Sequence, residues 1–380
     1  MLQNTIEQNS TQENDDSNIK LLYIFNEFNH HKIKISDHHD EPKHEDLKEP
    51  EMVKRTSLID TYEININKSK PFTLCITGKE DQDKDIIKKV KIDNEKASYF
   101  VFDHQLIKIE SDNINLNDEV YALMTDLDGT LLGDEQALKD FNIFWLKYFM
   151  LHSNMKLIYN TARSIEQIAG FKKKFGLLWP DICICNCGTK IYHHIPHSDE
   201  LKLDEDWKHL VTQNWDYKKI LKYIQGMEWL NFLGDTSLEN DNLIWCQANI
   251  KDLESFEHML EKMIEDFKKE NILFKIVISG PETDHKFLDI LPLHAGKEMA
   301  MKYINKKFNY PLKNMLCCGD SSNDIFMLEA SEWGLLVSNA YTDAKVWYEQ
   351  KGKLKPGFKL SSKNNAFAIV EELKSKFKIE

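Results

Sequence analysis

The chain has 380 residues, with 49 basic and 62 acidic side chains giving a net charge of −13, and 42% of its residues are hydrophobic. A single core rarely outgrows about 250–300 residues, so this length predicts more than one domain. The acidic balance argues against a protein that holds nucleic acid or a membrane surface through Lys/Arg–phosphate contacts.

Residues 1–19 are nearly all polar and cannot bury enough surface to offset the entropy of ordering, so they read as a disordered tail. Strand-like pieces follow at Ile19–Phe28, Lys32–Ile35, Phe72–Thr77 and Ser98–Ile109, each rich in β-branched and aromatic residues. A polar stretch from Asp37 to Lys54, with Pro42 and Pro50, reads as a linker. The pairs His30-His31 and His38-His39 near it lack a periodic framework that would hold a metal. The whole of 20–118 is expected to be a small β-rich region, to which the sequence assigns no chemistry.

After residue 118 strand and helix alternate. Tyr121–Thr125 is a short apolar strand that runs into Asp126-Leu127-Asp128-Gly129-Thr130, and a helix carrying Leu138, Phe141, Trp145, Leu146 and Phe149 follows. Met155–Asn160 reads as a strand, Thr161-Ala162-Arg163-Ser164 as the loop after it, Ile165–Phe175 as a helix, and Ile182–Cys187 as a third strand. A block at 205–285 carries helices near Tyr217–Ile224 and Leu253–Lys269 and strands near Leu243–Ala248 and Phe274–Ser279. The alternation then resumes with strand Phe287–Leu291, helix Lys297–Lys307, strand Met315–Cys318, helix Asp324–Ala330, strand Gly334–Val337 and helix Ala366–Lys376. This spacing predicts right-handed crossovers and a parallel sheet interrupted by an α/β insertion. The expected divisions are a core from 119 to 198, an inserted cap from 199 to 286, and the rest of the core from 287 to 380.

Seven unevenly spaced cysteines suit reduced thiols and a cytoplasmic protein better than a disulfide framework. Cys183, Cys185 and Cys187 share one face of a strand and read as buried thiols before they read as metal ligands. The apolar runs fall short of the roughly 18–20 residues of a membrane span, and the first residues show no secretory pattern. Nothing in the sequence sets an oligomeric state.

Residues that follow the carboxyl ends of neighbouring strands in an open parallel sheet converge where ligands bind. Four such clusters are present: Asp126 with Asp128, Thr161 to Ser164, Lys297, and Asp320 with Asn323 and Asp324. Carboxylates brought together from separate strand ends repel unless a cation lies between them, and a few hard oxygens facing a phosphate suit magnesium. Of two carboxylates on one loop, one can attack an electrophile while the other protonates the leaving group. A hydroxyl at Thr161 and a point charge at Lys297 suit phosphoryl oxygens. Arg163 has two readings, a phosphate contact or a pair with a carboxylate at the sheet edge. Ser164 likewise is either a phosphate contact or a helix cap. His193, His194 and His197 read as solvated loop residues, and Trp207, Trp215, Trp229 and Trp245 mostly as core.

Taken in order, these four clusters resemble the four motifs of the haloacid-dehalogenase superfamily of phosphotransferases. Gly133 to Leu138, Gly188 to His193, Ser279-Gly280, Leu288-Asp289-Ile290-Leu291-Pro292 and Val337-Ser338-Asn339-Ala340 narrow the resemblance to the sucrose-phosphate phosphatase family, over residues 119 to 380. That resemblance implies a Rossmann-like parallel sheet with an inserted α/β cap, Asp126 as nucleophile and Asp128 as general acid and base. It implies Mg2+ held by Asp126, Asp128 (through its backbone carbonyl), Asp320 and Asp324, and a phosphoryl group held by Thr161, Arg163, Ser164, Lys297 and Asn323. The expected partner is a small sugar phosphate, most of all sucrose 6-phosphate. The alternatives are mannosyl- or trehalose-phosphate, or a glycan- or partner-binding protein whose phosphatase part is accessory. The chain departs from the family at Ala162 and Glu298, where Gly is usual, and at Asn242 to Trp245, which lack the usual cap lysine.

Overall fold

The structure, a computed structural model, describes residues 18–25, 32–36, 52–55, 59–66, 72–79, 85–92, 99–102, 105–110, 114, 116, 119–150, 152–195, 201–232, 244–249, 253–279 and 285–380. Residues 1–17 of the expected tail, the four linker histidines and His197 lie outside them. The chain divides into two compact units.

The first unit is built on strands. β1 (Asn18–Phe25), β2 (Lys32–Ser36), β3 (Met52–Arg55), β4 (Ile59–Ile66), β5 (Phe72–Lys79), β6 (Asp85–Ile92), β7 (Tyr99–Phe102) and β8 (Gln105–Lys108) form a sheet of order β3-β4-β1-β7-β8 and another of order β2-β5-β6. The single strand expected over Ser98–Ile109 is the antiparallel pair β7 and β8.

The second unit carries the parallel sheet. Its strands are β9 (Tyr121–Thr125), β10 (Met155–Asn160), β11 (Ile182–Cys185), β12 (Lys190–His194) and β13 (Leu201–Leu203), with further strands of the same sheet later in the chain. β9 reads Tyr-Ala-Leu-Met-Thr and is buried over its last four residues, the near-continuous apolar run of a strand covered on both faces. The helices of this stretch are α1 (Glu135–Tyr148), whose residues from Asn142 onward count with the first unit, α2 (Ile165–Phe175) and, after β13, α3 (Glu205–Val211). Ser164 starts α2 through a capping box with Gln167, and Gly176, left-handed at φ 70°, ends it. Lys172, Lys173 and Lys174 fall in its last turn, where cations complement the helix dipole.

A second sheet follows: α4 (Tyr217–Gln225), β14 (Leu230–Phe232), β15 (Ile244–Asn249), α5 (Leu253–Lys269), β16 (Phe274–Ser279) and β17 (His285–Pro292), with antiparallel strand order β14-β15-β17-β16. Ile220, Ile224, Phe256, Met263 and Phe267 of the two helices close over Ile244, Leu288 and Ile290, and Trp215 and Trp229 pack against this core. The cap boundaries therefore differ from those expected. Leu201–Leu203 pairs with β12 in the core sheet, whereas His285–Pro292 pairs on both edges within the cap sheet. An alternating apolar strand looks alike in either sheet, so sequence alone did not separate them.

The chain returns to the core through α6 (Lys297–Phe308), β18 (Met315–Gly319), α7 (Ser322–Ala330), β19 (Trp333–Leu336), α8 (Thr342–Gln350), β20 (Phe358–Leu360) and α9 (Asn365–Phe377). The eight-stranded order is β13-β12-β11-β10-β9-β18-β19-β20, parallel from β11 to β20 and antiparallel at β12 and β13. His193 is not a solvated loop residue. It lies on β12 with Nε2 2.6 Å from Asp204 Oδ2, and Asp204 also receives Lys307 Nζ at 2.8 Å, Tyr303 Oη at 2.9 Å and the backbone of Trp207. Despite burial, these donors hold the Asp204 carboxyl at about 2. Among the described residues no helix is long and apolar enough to cross a membrane.

Candidate active site

Asp126 follows β9, Thr161 follows β10, Asp320 follows β18 and Lys297 opens α6. β9 lies between β10 and β18, so the chain leaves it toward opposite edges of the sheet and a crevice opens at its carboxyl end.

Lys297 is the hub. Its Nζ donates to Asp126 Oδ1 at 2.8 Å, Asp324 Oδ1 at 2.7 Å and Asn323 Oδ1 at 3.2 Å. Its backbone carbonyl accepts Asn160 Nδ2 at 3.0 Å. Gly188 packs so closely on the start of α6 that a Cβ there would lie 2.3 Å from the Gly296 carbonyl carbon. Asp324 is fully buried, and its second oxygen accepts the backbone N–H groups of Asp320 and Ser321 at 3.0 and 3.2 Å. Asp324 thus ties the loop after β18 to Lys297. On the other side Thr130 Oγ1 donates to Asp320 Oδ1 at 3.0 Å. Gly129 (φ 79°) comes so near that a Cβ would lie 2.3 Å from Asp320 Oδ2.

Burial pushes the Asp126 carboxyl up to about 7 against the pull of Lys297, with the charge of Asp324 adding to the rise. Burial, then Asp324 and Asp126, push Asp320 up to about 8. Burial works against the charge on Lys297, but Asp126 and Asp324 outweigh it and hold the ammonium well above its ordinary range. One oxygen from each of Asp126, Asp320 and Asp324 lies within 4.8 Å of the other two. With all three carboxylates ionised, the buried group carries two net negative charges after the Lys297 ammonium is counted, and its ligand atoms are all oxygens. That donor set and charge fit a hard divalent cation.

The Asp128 carboxylate is outside this group. It is exposed and gripped by Arg163, with Nε 2.7 Å from Oδ2 and Nη2 2.9 Å from Oδ1. Of the two sequence readings of Arg163, the structure shows the pair with a carboxylate. Ser164 sits at the start of α2, its Oγ accepting Gln167 N–H at 3.4 Å while its own N–H donates to Gln167 Oε1 at 3.0 Å. Thr161 is fully buried, its Oγ1 accepting the Arg163 N–H at 3.2 Å.

Residues beyond the expected set also shape the crevice. Asp289, on the face of β17 opposite Leu288 and Ile290, is buried and accepts the Cys187 thiol at 3.3 Å, and burial pushes it up to about 6. Asp289 lies in a motif that carried the resemblance but had no role attached. Asn160 had no sequence signal beyond its place at a strand end.

The fold is that of haloacid dehalogenase-like hydrolases. A protein of that description from Bacillus subtilis superposes with a TM-score of 0.50 at 17% identity, over 69% of this chain and 93% of its own. The chain belongs to the sucrose-6F-phosphate phosphohydrolase family, whose profile matches residues 120–375. The sucrose-phosphatase of Synechocystis, solved with sucrose and phosphate, superposes with a TM-score of 0.58 at 26% identity, over 68% of this chain and 98% of its own. Sucrose-phosphatase 2 of Nicotiana tabacum is 26% identical over 259 residues, 66% of this chain. The chain spans only 58% of the length of that relative. The mannosylfructose-phosphate phosphatase of Agrobacterium fabrum is 25% identical over 257 residues, 66% of this chain and 95% of its own length.

Proposed function

We propose that the chain is a magnesium-dependent phosphatase that hydrolyses a sugar phosphate, with sucrose 6-phosphate as its substrate. The observation that carries the reading is the buried group of Asp126, Asp320 and Asp324 around Lys297, with Asp128 two residues from Asp126 on the same loop. Family membership supports the substrate class.

In this reading a carboxylate oxygen of Asp126 attacks phosphorus and displaces the sugar oxygen, which takes a proton from Asp128. Water then attacks phosphorus of the aspartyl-phosphate and gives its proton to Asp128, so phosphate leaves and both carboxyl groups are restored. Lys297 holds the phosphoryl oxygens and screens Asp126 from the dianion, and Thr161 and Asn323 line the same pocket. Arg163 aims Asp128. Asp126, Asp320, Asp324 and the Asp128 backbone carbonyl would hold magnesium, which would supply positive charge beside the phosphoryl group. Ser164 acts as a helix cap.

The relative from Agrobacterium, matched over nearly its whole length, favours a second reading in which another disaccharide phosphate is the substrate. The chain's missing cap lysine at 242–245 supports it. Cys183, Cys185, Cys187, Cys317 and Cys318 are free, buried thiols, which supports a reducing, cytoplasmic setting. Release of phosphate from sucrose 6-phosphate, mannosylfructose phosphate, trehalose phosphate and hexose phosphates, with and without magnesium, tests the proposal. Hydrolysis of none of them overturns it, and hydrolysis of hexose phosphates alone overturns the disaccharide assignment.

A further inference from the structure

The loop from Asp126 to Leu132 closes on itself, with Asp128 bridged to Leu132. Leu127 is fully buried, and its carbonyl accepts the N–H groups of Thr130 at 3.2 Å and Leu132 at 2.7 Å. Two asparagines from the far end of the chain take the carbonyls of Gly129 and Leu132. Asn365 Nδ2 donates to Gly129 O at 2.8 Å and to Leu132 O at 2.9 Å. Asn339 Nδ2 donates to the same Gly129 carbonyl at 2.7 Å, and its Oδ1 accepts the Asn365 backbone N–H at 2.8 Å. Each amide group therefore has one satisfying orientation, because two carbonyl oxygens require the nitrogen of Asn365 between them.

The arrangement has its own backbone requirements. Asn365 is buried and left-handed at φ 47°, a conformation Asn tolerates better than other side chains. It opens α9 but caps nothing with its amide. Gly133 (φ 130°) faces it so closely that a Cβ would lie 2.6 Å from Asn365 Nδ2. Ser338 N–H donates to Lys363 O and Ser361 N–H to Leu336 O, at 2.9 Å each, so the two asparagine-bearing loops are zipped together.

We propose that Asn365, supported by Asn339, is a positioning residue that sets where Asp128 meets the leaving oxygen. The proposal rests on the phosphatase reading above. Asp126 has fixings of its own, through Lys297 and through its N–H to Cys318 O at 3.1 Å. Among the described residues Asp128 is held by its bridge to Leu132 and by Arg163. Its exposed carboxylate touches Arg163, and its backbone sits between Leu127 and Gly129 on the loop the asparagines hold. Releasing the Gly129 and Leu132 carbonyls therefore displaces the acid more than the nucleophile. A general acid works only within hydrogen-bond reach of the oxygen it protonates, and an error near 1 Å costs about 100-fold.

The test uses the full chain with Asn365→Gly, which keeps the left-handed backbone and removes both donations, and Asn339→Ala, which removes one. Two esters are compared: sucrose 6-phosphate, whose alkoxide must be protonated, and p-nitrophenyl phosphate, whose leaving group needs no proton. In single turnover, which isolates phosphorylation of Asp126 from the later water step that Asp128 serves for both esters, Asn365→Gly is expected to slow release of the sugar by about 10- to 100-fold and of nitrophenolate by less than about threefold, with Asn339→Ala between it and wild type. Amide exchange at Thr130 and Leu132 is expected to quicken by at least about tenfold while the global unfolding midpoint holds. Equal losses on both esters, or unchanged exchange at the two amides, overturns the proposal. Exchange judges the clamp whether or not the chain hydrolyses either ester, whereas inactivity of the wild type on both counts against the phosphatase reading alone.

Discussion

Lys297 Nζ lies 2.8 Å from Asp126 Oδ1, and both side chains are less than a tenth exposed. Removing one partner of a buried pair strands the other charge, at a cost of about 3–5 kcal/mol. Lys297→Met is therefore expected to abolish turnover and to lower stability in urea by an amount in that range at neutral pH. The loss shrinks toward pH 5, because Asp126, already near 7, takes up a proton once the ammonium is gone. A loss that does not vary with pH counts against this pairing.

The metal-free protein has a definite pH signature. Asp126 and Asp320 sit at about 7 and about 8 in the folded state, above the roughly 4 of an unfolded carboxyl. Between those values the native state binds more protons than the unfolded one, so stability from these groups is full at low pH and falls as pH rises through 7 and 8. With chelator present, the thermal midpoint is expected to decline over that window. Magnesium removes the decline, and its binding at pH 6.5 releases protons that calorimetry in two buffers of different ionisation enthalpy detects.

Arg163 is one of two arginines in a chain of 49 basic residues, and it makes a two-pronged contact with Asp128. Lysine carries the charge but not the fork. Arg163→Lys is expected to slow the first, leaving-group-releasing step on a sugar phosphate by about tenfold in single turnover and to spare that step on p-nitrophenyl phosphate, since the acid loses its aim. Equal losses on the two esters assign Arg163 to phosphate binding instead.

Ser164 caps α2. Its replacement by Ala is expected to cost about 1 kcal/mol of stability and to leave kcat within about twofold. A selective rise in KM for the sugar phosphate restores the phosphate-contact reading.

Most of the core was legible because its strands are short apolar runs that end in polar motifs, as Tyr121–Thr125 does before Asp126. Asp126 and Asp320 each follow a core strand, which is why they group in the sequence, whereas the strand before Lys297 lies in the cap sheet. Three things were hidden. Ile59–Ile66 alternates Tyr62, Ile64 and Ile66 with Glu63 and Asn65, a strand signal that the polar surroundings masked. His285–Pro292 was assigned to the wrong sheet, since pairing partners are not written in a strand's own pattern. Asn365 lies more than 230 residues from the carbonyls it holds, and an asparagine at a helix start reads as a cap.

The most direct test of the account is the turnover of Asp126→Asn on sucrose 6-phosphate with saturating magnesium, set beside wild type. An amide cannot serve as the nucleophile, so the account predicts a fall of at least about 1,000-fold with the folded structure retained by circular dichroism. Turnover within about tenfold of wild type would contradict it.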